Sequence, residues 1–268
     1  MQERPAGDRA LEVLRLASAI MSGDGSQETV RLHPGDRHVV VELCRPERRN
    51  AIDRDSAEML AESLEEAGGS FRVLVLAGAG EHFCAGADLD TVEDPDFPAL
   101  LRRSLEALRR PDWVTIAAVH GAALGAGTQL AAACDLRVAT PGSRFGIPAS
   151  RLGLMVDAWT VRRLYQTAGG SVAAGLLLGG WELTAEQAKG CGFVHELGDR
   201  SVAVGWAERI AAMAPLSLEG HKIGLLAEEG SATREEYEEA FVRAWGSEDL
   251  REGLSAFRER RPAEFTGR

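Results

Sequence analysis

Gly121-Ala-Ala-Leu-Gly-Ala-Gly-Thr-Gln-Leu130 and, a little further on, Phe145-Gly-Ile-Pro-Ala149 set the expected fold. The first stretch follows an apolar run, Trp113 to Val119, and opens an Ala-rich segment that continues to Cys134. This pattern predicts a buried strand ending in a Gly-rich turn, then a helix whose first N–H groups lack partners. Such a helix start favours negative charge through its bare donors and its dipole. A dinucleotide fingerprint is not met, because its third glycine would fall at Leu130. Nor does Gly-Lys-Ser/Thr occur, so a nucleotide P-loop has no support.

Working outward, Val39 to Leu43, Arg72 to Ala77 and Cys134 to Thr140 read as further strands. Asp53 to Ala67, with Asp53 as its cap, and Phe97 to Arg110 read as helices between them. The βα alternation implies a parallel sheet covered on both faces. Beyond Asp157 strands nearly vanish. Arg200 to Met213, Leu216 to Glu228, Thr233 to Trp245 and Ser247 to Arg258 have helical spacing, and Thr184-Ala-Glu-Gln187 has the shape of a capping box. At the other end, Asp8 to Ile20 reads as an accessory helix, or else Met21 is the true start.

Composition narrows the function. The chain has 268 residues, 45% hydrophobic and 26% charged, with a formal charge of −11. That balance argues against nucleic acid as a main partner and requires local arginine clusters for any polyanionic ligand. No apolar stretch reaches the roughly 18–20 residues of a membrane span. Cys44, Cys84, Cys134 and Cys191 lack CxxC spacing and read as buried free thiols in a reducing cytoplasm. The six histidines show no metal-ligand spacing, and no metal is expected.

Together with Phe83-Cys-Ala-Gly-Ala-Asp88, the Gly/Ala turn resembles the signature of the crotonase (enoyl-CoA hydratase/isomerase) superfamily. The resemblance implies an α/β fold, the ClpP/crotonase-like spiral of ββα units, with a helical C-terminal trimerisation region. It divides the chain into an extension over 1–28, a spiral core over 29–200 and a helical region over 201–268. It also implies an acyl-CoA or enoyl-CoA ligand, no other cofactor, and a homotrimer or hexamer. On that pattern Ala87 and Ala126 would donate the two N–H bonds of a thioester oxyanion hole, beside Ala85 and Asp88. Arg48 and Arg49, in Arg45-Pro-Glu-Arg-Arg-Asn-Ala51, together with Phe257 and Arg260, would meet the CoA nucleotide.

One feature departs from the hydratases. Their two catalytic glutamates are replaced by Gln129 and Ala149. Gln129 can orient water but cannot exchange a proton near neutral pH, and Ala149 can do neither. Asp157 is the remaining acid, and three roles stay open for it: a helix cap, a ligand contact, or a proton carrier. The function is therefore expected to be enoyl-CoA hydratase/isomerase-type, or acyl-CoA binding with weak catalysis, or another crotonase-fold reaction on a CoA thioester. Leu124, Leu154, Met155 and Trp159 are candidate walls of the acyl pocket.

Overall fold

A computed structural model of the protein describes residues 28–268. The expected helix at Asp8–Ile20 and the question of Met21 lie outside the described residues. In chain order the first half contains β1 (Val30–Pro34), β2 (His38–Leu43), α1 (Arg54–Ala67), β3 (Val73–Gly78), α2 (Phe97–Leu108), β4 (Val114–Val119), β5 (Ala122–Leu124), α3 (Ala126–Ala133), β6 (Leu136–Ala139) and β7 (Arg144–Gly146). The second half contains α4 (Ala158–Ala168), α5 (Gly170–Leu177), β8 (Glu182–Thr184), α6 (Ala185–Gly190) and β9 (Glu196–Leu197). Four helices close the chain: α7 (Arg200–Ala211), α8 (Pro215–Glu228), α9 (Arg234–Trp245) and α10 (Glu248–Glu259).

The main sheet runs β1-β2-β3-β4-β6-β9, parallel throughout except for the antiparallel pair β1/β2. Its centre is β3, Val73-Leu-Val-Leu-Ala-Gly78, in which every residue is buried. The period of two sends Leu74 and Leu76 into one apolar cluster, with Leu60 and Leu64 of α1 and Leu105 of α2. Val73, Val75 and Ala77 enter the other, against Ala203, Ala207 and Ala211 of α7. Helices on both faces explain why the strands read as continuous apolar runs.

A second, three-stranded sheet, β5-β7-β8, stands beside the first. Sequence periodicity did not resolve it, because each of its strands is three residues long. The caps are as expected: Asp53 accepts from Ser56 N–H, and Thr184 with Gln187 forms a complete capping box. Cys44, Cys84 and Cys134 are buried free thiols, while Cys191 is half-buried. Among the described residues no helix is long and apolar enough to cross a membrane.

Candidate active site

The Gly-rich turn folds as its sequence requires. Gly125 adopts φ 52°, a left-handed conformation open to glycine, and α3 begins at Ala126 immediately after it. A methyl group on Gly127 would overlap the Cys84 carbonyl oxygen, so α3 can approach the Phe83–Asp88 loop only without a side chain there. A Cβ on Gly125 would lie 3.6 Å from Gly86 Cα, which places the two Gly/Ala turns in backbone contact.

The Phe83–Asp88 loop is held in an extended path by main-chain bonds. Asp88 N–H donates to the Ile52 carbonyl, and Ile52 N–H donates to the Gly86 carbonyl, both at 2.8 Å. Because backbone direction alternates along an extended chain, Ala87 N–H faces away from Ile52. Neither Ala87 N–H nor Ala126 N–H meets a protein acceptor among the described residues. These are the two donors that the family resemblance implies, and the fold brings their turns together.

They border a cavity of about 410 Å³. One wall is the face of α2 carrying Phe97, Leu101 and Leu105, an i, i+4, i+8 stripe that the sequence displays. The opposite wall is the segment Ile147 to Asp157, including Ala149, Leu154 and Met155. Gln129 projects from α3 into the same space. The lining is mainly apolar, and among the described lining residues only Arg102 and Asp157 carry charge.

Asp157 performs the capping role and also faces the cavity. Its Oδ1 accepts from Thr160 N–H at 2.8 Å, and its Oδ2 accepts from Arg102 Nη1 at 2.9 Å. Partial burial pushes its carboxyl up, but hydrogen bonding from Thr160 and the Arg102 guanidinium outweighs this. The net position lies below the usual carboxylate range. Burial beside apolar neighbours would have raised it, as a proton donor requires; the hydrogen bonds from Thr160, joined by the pairing with Arg102 that sequence spacing did not reveal, reverse the sign. Arg102 is itself fixed, by Glu106 at 2.7 Å and by the Trp159 ring 5.0 Å away.

This arrangement fixes a pH dependence. A carboxylate with a depressed folded pKa stabilises the fold above its unfolded pKa of about 3.9, and that stabilisation is lost as pH falls through the folded value. Asp157→Asn keeps the cap acceptor and removes the ion pair. At neutral pH it should cost no more than about 1 kcal/mol, because the side chain is half-exposed. Melting curves of parent and variant should converge in acid. A gap that widens below about pH 4 would contradict the assignment.

Other expected residues sit elsewhere. Trp159 packs against the core between Arg102 and Arg109 and does not line the cavity, nor does Leu124. Asp88 is tied to Arg45 at 3.2 Å, and Arg45 also reaches Asp53 at 2.9 Å and the Ala51 carbonyl. Asn50 anchors the same turn by donating to the Ala79 and His82 carbonyls. Arg45 and Asn50 thus build the loop, leaving Arg48 and Arg49 exposed. Ala85 lines the cavity, with its N–H given to the Arg49 carbonyl. Phe257 is 84% exposed, and Arg260 ends α10 in a left-handed conformation.

A spiral of strand and helix units with two donor turns above an apolar cavity is the build of a crotonase-fold protein. Residues 37–268 match the family model described as enoyl-CoA hydratase/isomerase, and the chain belongs to that family. A probable enoyl-CoA hydratase of Mycobacterium tuberculosis is 39% identical over 236 residues, covering 85% of this chain and 96% of that protein. The 2,3-dehydroadipyl-CoA hydratase of Escherichia coli is 34% identical, covering 87% and 96%. Among solved structures, an enoyl-CoA hydratase from Mycobacterium tuberculosis superposes with a TM-score of 0.80 at 32% identity, covering 90% of this chain and all of that one.

Proposed function

We propose that this protein binds CoA thioesters through an oxyanion hole formed by Ala87 and Ala126 N–H, and hydrates enoyl-CoA weakly or not at all. The observation that carries this reading is the cavity's polar inventory. Two unpartnered backbone donors border it, and Gln129 and Ala149, which the family resemblance sets at the positions of the hydratase glutamates, line it without a carboxyl group. Fixed donors aimed at a thioester oxygen stabilise developing charge, one of them by roughly 2.7–4 kcal/mol. They hold the ligand whether or not a proton moves. Arg48, Arg49, Phe257 and Arg260 are assigned to the CoA nucleotide, within a homotrimer or hexamer in the cytoplasm.

Calorimetry with short- and long-chain acyl-CoAs tests the binding. Affinity is expected to weaken as salt rises, since charge on the nucleotide is screened. Arg260→Ala should weaken it without lowering the melting temperature, because the residue is exposed at a helix end. Absence of heat with every thioester at high micromolar concentration would overturn the proposal.

A second reading rests on the position of Asp157 in the cavity wall: a different reaction on a CoA thioester with Asp157 as base. The lowered pKa opposes it. Asp157→Asn should therefore retain whatever turnover the parent has. A loss of about tenfold or more would restore Asp157 as the proton carrier.

A further inference from the structure

Away from the thioester cavity, a second cavity of about 250 Å³ opens between the C-terminal ends of α2 and α3 and the helices α4 and α8. Four cations line it, Arg109, Arg137, Arg163 and Lys222, all at least nine-tenths buried. Against them stand two carboxylates, Asp135 and Glu229, a formal surplus of two positive charges. Lys222 pairs with Asp135 at 2.8 Å, and Glu229 bridges Arg109 and Arg163. Among the described residues no carboxylate pairs with Arg137, whose donors go to the carbonyls of Phe193, Ala131, Cys134 and Asp135.

Helix dipoles account for part of the surplus. Arg137 and Arg163 cap the last carbonyls of α3, and Lys222 donates to the Leu108 carbonyl at the end of α2. Each helix end supplies about half a negative charge, which offsets roughly one of the two. About one positive charge then remains uncompensated beside a cavity with room for several waters, each of which occupies about 30 Å³ in the liquid. Buried charge left in that state is costly, and proteins normally pair it. The Arg109 guanidinium donates to Glu229 alone among the described residues, although it has five N–H groups.

We infer that this cavity is a binding site for a small oxyanion, phosphate or a species like it, held by the free N–H groups of Arg109 and its neighbours. Planar guanidinium forks suit oxygen pairs better than a spherical halide. Two further properties agree. Burial and the nearby Arg163 push Arg137 down to about 10, and burial with Arg137 and Arg163 pushes His195 down to about 4, so His195 adds no charge near neutral pH. The site is independent of thioester binding and shares none of its lining residues.

The probe is inorganic phosphate at low millimolar concentration and constant ionic strength, added to the full chain. Melting temperature should rise saturably, by about 2–4 °C at a fivefold excess over the dissociation constant. The rise should persist in Arg48→Ala and in the presence of acyl-CoA, which separates this cavity from the nucleotide positions. Leu225 lies on the cavity rim and is 66% exposed, so Leu225→Glu should fold and place a carboxylate where the anion sits. That variant should melt higher without phosphate and lose the response to it; Thr167→Glu, also on the lining, provides the same test should Leu225→Glu not fold. No rise in the parent, or a rise undiminished in the glutamate variant, would overturn the inference.

Discussion

Crotonyl-CoA should be hydrated at least about 10²-fold more slowly than by a hydratase with both glutamates, and by up to about 10⁴-fold. Each positioned acid or base contributes about 10²–10⁴, and groups acting as a unit do not multiply fully. Here the cavity offers Gln129, an amide, and Ala149, a methyl group. Asp157 is committed to Thr160 and Arg102. Steady-state measurement at saturating crotonyl-CoA decides the matter. Turnover within about tenfold of a two-glutamate hydratase assayed in parallel would refute the expectation. Gln129→Glu with Ala149→Glu should raise the rate, because both side chains would enter the same cavity as the donor turns.

Lys222→Ala should be the most destabilising single change in the helical half. Lys222 is 5% exposed, and its ammonium donates to the Trp113 carbonyl at 2.8 Å and the Leu108 carbonyl at 3.3 Å, besides pairing with Asp135. Asp135 in turn accepts from Thr115 N–H and Oγ1, so this one cation joins α8 to the end of α2 and to β4. Removing one partner of a buried pair costs about 3–5 kcal/mol. For a chain of this size that is a fall of about 6–20 °C in melting temperature by circular dichroism. Lys222→Met with Asp135→Asn should recover part of the loss by removing both charges. A fall under about 2 °C for Lys222→Ala would refute the assigned role.

The sequence made the fold legible where local chemistry was strong. β3 is apolar at every position, Asp53 and Thr184 cap helices where their side chains predicted, and the helical segments read from Thr233 and from Ser247 form, with those two residues as their caps. Both donor turns were located by the family resemblance of their Gly/Ala segments; at Gly127 the structure supplies a steric reason, since only a residue without Cβ fits against the Cys84 carbonyl. Three-residue strands could not be seen, since a period of two needs more residues than they contain. Charges brought together by folding were also hidden. Arg102 and Asp157 are 55 residues apart and Arg109 and Glu229 are 120 apart, and nothing local marks either pair. The role of Asp157 as a cap was readable from Ala158-Trp-Thr160, whereas its partner was not.

The two donors beside the cavity belong to the main chain, fixed by Ile52 and by the contact between Gly86 and Gly125. Substitutions at 129 and 149 therefore leave them undisturbed. A protein that grips a thioester and returns it unchanged has an occupancy set by affinity and free concentration alone. It would behave as a buffer, filling as acyl-CoA accumulates and emptying as it is consumed, with no flux of its own to drain it.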